Sequence, residues 1–331
     1  MKKSLIEFLD EVVPGQTEAA AQLLASLGRG EEGHSYIFQG ARGWGKAALA
    51  RLFIRALLCE GVAFSPECGC SACARAADGL HPDVRWFGED FEKRSIAISD
   101  VRELLAWSAL RPFEGLRKVA VVLQAERLTV EAANALLKLL EEPPASAYLI
   151  LLAEQSRRLL DTITSRCRLV RLRPVAYEAV VRALRARGVV EDEAHYAARK
   201  SEGSLRSAQK LVEEKAWSLQ RHFVEELLGT PSLELFTEWS KLKRPDVVMK
   251  LRRLAEWLRD ALLVASACRT GELLHAGYPE ALQCAGASGT VALLKKLNLL
   301  VETERALQAN VNQKLALTRL AMAFEMSYAG L

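Results

Sequence analysis

The chain has 331 residues, room for two or three domains at ~150 residues each, and half of them are apolar against 26% charged. That balance excludes a disordered, collagenous or low-complexity protein. Lys plus Arg number 45 against 41 Asp plus Glu, and a net charge of +4 over 36.6 kDa is too small for a protein that coats nucleic acid, so any DNA contact must be local.

The first eleven residues, Met1 to Glu11, carry two lysines and then meet acids before an apolar stretch can develop, which is not the pattern of a signal peptide. Tyr36-Ile37-Phe38 reads as a strand, followed by a glycine-rich turn and a helix from about Lys46 to Cys59. Val119 to Leu123 is a continuous apolar run, the mark of a strand buried on both faces. Thr129 then caps an amphipathic helix that ends at Pro143-Pro144, and Tyr148 to Ala153 is the next strand. These runs fall far short of the ~18 residues of a membrane span. The expectation is a cytosolic protein without a membrane partner, in which seven cysteines are not a disulfide framework.

Strands alternating with helices predict a parallel sheet covered by helices, an α/β fold, up to about Pro174. Beyond it the pattern is helical. Tyr177 to Arg187 closes at Gly188, Glu193 to Ser201 stops near Gly203, and Ser204 caps a third helix running to about Lys215. From Ala216 onward come long amphipathic helices punctuated by Gly229, Pro231, Gly271, Pro279 and Gly289. The expected domains are 1–174, 175–214 and 215–331.

Gly40-Ala41-Arg42-Gly43-Trp44-Gly45-Lys46 satisfies G-x-x-x-x-G-K and lies between a strand and a helix, where free amides and a lysine can surround a phosphate. Gly40, Gly43, Gly45 and Lys46 are therefore the candidate phosphate-binding residues; a glycine turn with a solvated lysine gives the same pattern. The next residue is Ala47, where the motif wants the hydroxyl that ligates Mg²⁺. The second buried strand ends in Leu123-Gln124, where a working enzyme needs carboxylates, and Glu126 reaches a metal only if the strand ends later. With two metal-holding positions apolar or neutral, the chain is not expected to hydrolyse ATP, and its own ATP binding should be weak or absent.

Cys59, Cys68, Cys70 and Cys73 follow C-x₈-C-x-C-x₂-C, four thiols in fifteen positions, which suits the tetrahedral all-sulfur shell of structural zinc. Reduced buried thiols are the alternative, and Cys167, Cys268 and Cys284 stand alone. A four-cysteine shell leaves no open coordination position, so its role would be structural, pinning the excursion between the first helix and His81-Pro82-Asp83.

The phosphate loop, the cysteine insert, His81-Pro82-Asp83, Arg111-Pro112-Phe113-Glu114-Gly115, Ala133-Asn134-Ala135-Leu136-Leu137-Lys138 with Leu140-Glu141-Glu142-Pro143-Pro144, and Ser165-Arg166-Cys167 occur in one order. In that order they resemble the bacterial clamp-loader AAA+ subunits of DNA polymerase III. Gly203-Ser204-Leu205-Arg206 is similar to the family's sensor segment, and Asn310 to Leu315 to part of its last helices. The resemblance implies an AAA+ P-loop sheet, a small helical lid and an all-α collar. It implies clamp-loader γ/τ and δ subunits as partners, with the sliding clamp and primer-template DNA reached through the complex. The family's ATPase subunit, γ/τ, has Ser or Thr after the lysine and acids after the second strand. Ala47, Leu123 and Gln124 place this chain with the stator rather than the motor, the alternative being an active ATPase that uses Lys46 and Glu126. A zinc-scaffolded adaptor without a clamp role is a second alternative.

Within the same resemblance, Arg166 supplies an arginine finger in trans to ATP on the neighbouring γ/τ subunit. Read alone, the segment from Ser156 to Val175 is a basic surface loop, with six arginines against the single acid Asp161. Arg206, a sensor arginine by the same resemblance, reads equally as a salt-bridge partner. Charges at Arg102, Arg111 and Lys118 fit DNA phosphates or a solvated helix face alike.

Overall fold

The computed structural model describes residues 4–61, 64–65, 68–88, 95–230, 232–267, 273–309 and 311–325. Pro231, Cys268, Gly271 and Asn310, singled out above, lie outside the described residues.

Five strands, β1 (Ser35–Gln39), β2 (Val84–Phe87), β3 (Lys118–Val122), β4 (Ala147–Ala153) and β5 (Arg168–Arg171), form one parallel sheet in the order β2-β3-β4-β1-β5. The three central strands are covered on both faces, which is why they read as continuous apolar runs. On one face Tyr36, Phe38, Val121, Ile150 and Leu152 join a core that includes Leu9, Leu23, Leu49 and Phe53 from the helices Leu5–Val12, Thr17–Gly28 and Lys46–Leu58. On the other face Ile37, Val122 and Leu151 pack with Leu104 and Leu136 from the helices Ile98–Ala109 and Val130–Glu141. Each such side chain contributes about 1.5–3 kcal/mol when fully buried, so the two layers hold the sheet and the turns at its ends.

The expected strands at Tyr36, Val119 and Tyr148 are β1, β3 and β4, each shifted by no more than a residue at either end. Leu123 lies just past β3, its amide donating to the Phe87 carbonyl at 2.9 Å. Edge strands β2 and β5 carry no such signal, because Arg85, Arg168 and Arg171 are exposed and interrupt any apolar run. Thr129 does cap the Val130–Glu141 helix, its Oγ1 accepting from the Ala132 amide at 3.2 Å, and Ser204 Oγ accepts from the Ser207 amide at 3.1 Å.

Contacts divide the chain into two compact units, residues 1–183 with 202–207, and residues 184–201 with 208–331. The segment 175–214 is thus shared between them. The second unit is helical among its described residues, around Phe223, Phe236, Trp239, Leu254, Trp257 and Leu293. Its one fully buried acid, Asp260, accepts from the His275 amide at 2.8 Å, lies 2.8 Å from His275 Nδ1, and takes an Arg259 guanidinium at 2.9 Å. A charge held this way is satisfied rather than stranded. No single helix among the described residues is long and apolar enough to cross a membrane.

Candidate functional site

The phosphate loop leaves the end of β1, anchored by the Gly40 amide donating to the Ala153 carbonyl at 3.1 Å, and enters the Lys46–Leu58 helix. Gly43 and Gly45 have φ of +85° and +91°, the left-handed region that L side chains rarely adopt. A Cβ on Gly43 would also come within 1.9 Å of Ser204 Oγ, so the Gly203–Ser207 segment lies directly against the loop. No side chain caps the helix, leaving its first amides to an anion or water.

Lys46 does not project into open solvent. Its Nζ donates to the Gly40 carbonyl at 2.5 Å and to the Ala41 carbonyl at 3.0 Å, filling the cradle with the loop's own cation. Burial lowers its pKa, Glu154 and Glu126 oppose that, and Arg42 adds to it. Glu154, the residue after β4, is a carboxylate that sequence reasoning missed; its position at the carboxyl end of a central strand, where ligands bind in open α/β sheets, was the available signal.

Ala47 and Leu123, the two positions where Mg²⁺ ligands were sought, are partly buried and pack against the cluster containing Tyr36 and Phe38. Gln124 turns into the left-handed region, φ +49°, and its Oε1 accepts from Arg127 at 3.0 Å. Glu126 falls in a 3₁₀ turn, Ala125–Arg127, with Oε2 buried and without a hydrogen-bond partner. Beside these groups lies a cavity of about 370 Å³ lined by Ala47, Leu123, Trp86, Arg51 and Arg206, with the Arg51 guanidinium over the Trp86 ring at 5.6 Å. Arg206 therefore opens onto the same space as the two apolar substitutes.

At the other end of that helix the four cysteines meet, their sulfurs all within 4.8 Å of one another. Zn–S bonds of ~2.3 Å in a tetrahedron require sulfurs ~3.8 Å apart, so the set fits zinc. Cys59 and Cys68 Sγ are 3.5 Å apart, and the Cys73 amide donates to Cys70 Sγ at 3.4 Å. The Glu60 backbone lowers the Cys70 thiol to about 7, whereas burial raises Cys59 and Cys73. Four thiols gathered from a helix end, a loop and the start of the Ser71–Asp78 helix are a ready metal shell.

Arg166 is exposed, its guanidinium paired with Glu141 at 2.9 Å and donating to the Thr162 carbonyl at 3.1 Å. Cys167 beside it is half-buried, its thiol pushed up to about 12 by burial. Lys118 is buried, donating to the Trp107 carbonyl at 3.0 Å with its ammonium 4.2 Å from that ring's centre, so it is not presented to a phosphate backbone; Arg102 and Arg111 are exposed.

A parallel sheet whose first strand runs into a glycine loop, a lysine and a helix N-terminus defines a P-loop α/β protein. The sequence profile of the family described as DNA polymerase III, delta subunit, matches residues 15–176. DNA polymerase III subunit delta' of Escherichia coli is 33% identical over 73% of each chain, and that of Yersinia pestis 30% identical over 91% of each. The Pseudomonas aeruginosa subunit of the same name is 41% identical, over 47% of each chain. This chain belongs to the DNA polymerase III subunit delta' family.

Proposed function

We propose that the chain is the catalytically degenerate stator of a DNA polymerase III clamp loader, lending an arginine to the ATP site of a neighbouring γ/τ subunit. The observation that carries this is the pair Ala47 and Leu123, apolar side chains facing the cavity beside the phosphate loop where oxygen ligands for Mg²⁺ would stand. Ala47, which lacks the hydroxyl that would hold Mg²⁺ beside the phosphates, supports weak or absent ATP binding in this chain. The assembly would contain γ/τ and δ in the cytosol and act on the sliding clamp and primer-template DNA. The nucleotide-fold part would end near residue 174, with a lid to 214 and a collar beyond, and the four cysteines would hold structural zinc.

Arg166 must leave Glu141 to reach a neighbour's γ-phosphate. An exposed ion pair is worth ~0–1 kcal/mol. An arginine finger contributes ~10³–10⁵ in rate, or at least ~4 kcal/mol of transition-state stabilisation, so the exchange favours the phosphoryl group as charge develops. Planar guanidinium donors suit that geometry better than a lysine would.

The test is reconstitution with γ/τ and δ. Arg166→Ala is expected to lower the complex's ATPase by ~10³-fold at the site it faces, with assembly unchanged on gel filtration; an unaltered rate removes the assignment.

A further inference from the structure

Arg55 stands on the Lys46–Leu58 helix four residues before Cys59 and is turned toward the cysteine cluster. Its Nη2 donates to the Cys68 carbonyl at 3.1 Å, and its guanidinium lies over the Phe64 ring, 5.6 Å from the centroid. The Arg55 backbone also meets the cluster, its carbonyl accepting from Cys73 Sγ at 3.7 Å. One residue thus touches the loop that carries Cys68 and the helix that carries Cys73, and sits one turn from Cys59.

Two features make this more than packing. Zn²⁺ with four thiolates has a net charge of −2, and a half-buried anion of that size needs a cation close by. The cluster is also braced unevenly. In the Cys70–Cys73 half an amide donates to sulfur. The Cys68–Cys70 half, with its single intervening residue, is braced from outside by the guanidinium on the Cys68 carbonyl. A planar guanidinium can hold that carbonyl while lying against the Phe64 ring, which a single ammonium cannot do equally well.

We propose that Arg55 is the counter-charge and positioning residue of the cysteine site: fixed by the Cys68 carbonyl and the Phe64 ring, it offsets the negative charge of the metal-bound tetrathiolate and sets its metal affinity. This rests on the zinc reading of the four cysteines. It also ties the metal lobe to the helix that begins at the phosphate loop.

The experiment measures zinc affinity of the full chain by competition with a chromophoric chelator, together with metal content, circular dichroism and the thiolate charge-transfer spectrum of the Co²⁺ form. Parent protein should hold one zinc, and Cys68→Ser should lose it. Arg55→Gln should keep the parent's Co²⁺ spectrum, since all four ligands remain, yet bind zinc ~10–100-fold more weakly, the usual effect of removing an outer-shell partner. Arg55→Lys should fall between the two, retaining charge without the fork. Parent-like affinity in Arg55→Gln overturns the assignment to Arg55 while leaving zinc in place; a parent that takes up no zinc overturns the metal reading and this inference with it. Should Arg55→Gln prove unfolded by circular dichroism, Arg55→Lys decides, and parent-like affinity there overturns the proposal.

Discussion

The two ends of the Lys46–Leu58 helix make opposite use of the same scaffold. At its start the glycines and the lysine of a phosphate-loop pattern are in place, but Ala47 and the nearby Leu123 are apolar side chains packed against the core and the lysine bonds to its own loop. At its end four sulfurs are drawn within 4.8 Å, with an arginine against them. The backbone of a binding site is retained at one end without the atoms that hold a metal, while the other end has the full donor set. A loop conformation fixed by glycines does not depend on the side chains that would hold a metal beside it, whereas a metal shell depends on every ligand.

That contrast can be broken at several points. The largest effect is expected from Cys68→Ser or from chelation of the parent. Structural zinc contributes ~10–16 kcal/mol of apparent binding free energy in small zinc domains, so losing it should lower the thermal midpoint by several degrees, measured by calorimetry. An unshifted midpoint would make the cysteine end as dispensable as the phosphate end.

Acid should act on the same end. Burial raises Cys59 and Cys73, so both are protonated at neutral pH without metal and each must release a proton to bind it. Zinc affinity should therefore rise with pH and fall roughly tenfold per pH unit lost for each of these thiols, about 100-fold per unit for the two. Competition titrations at pH 6.5 and 7.5 measure it, and a flat profile would contradict the thiolate shell.

At the phosphate end, Leu123→Asp should destabilise the chain by ~1–3 kcal/mol in urea unfolding, because a carboxylate replaces a side chain packed on the core. It should not create hydrolysis while Ala47 remains. The smallest effect belongs to Lys46→Ala, which gives up two hydrogen bonds to loop carbonyls and should change stability by no more than ~1 kcal/mol. The purified chain's ATP turnover should stay at background in both proteins; steady hydrolysis abolished by Lys46→Ala would erase the contrast altogether.

Much of the first unit was legible because its signals are local. β1, β3 and β4 announce themselves as apolar runs, Thr129 and Ser204 as caps, and the phosphate loop as glycines before a lysine. β2 and β5 were not, since edge strands need only one good face and theirs carry arginines. In the candidate site, the apolar side chains at Ala47 and Leu123 could be read directly. Glu154 and the Arg166–Glu141 pair could not, because each depends on which strand or helix ends beside which.

Sequence alone determined the kind of sheet, the phosphate loop with its missing oxygens, and the four-cysteine spacing, all properties of residues close along the chain. Only the tertiary structure decided that Lys46 turns back on its loop, that Ser204 lies against Gly43, and that Arg55 faces Cys68 and Cys73. The physical reason is that such contacts are set by the packing of whole elements against one another, and a pattern read along the chain carries no measure of distance across it.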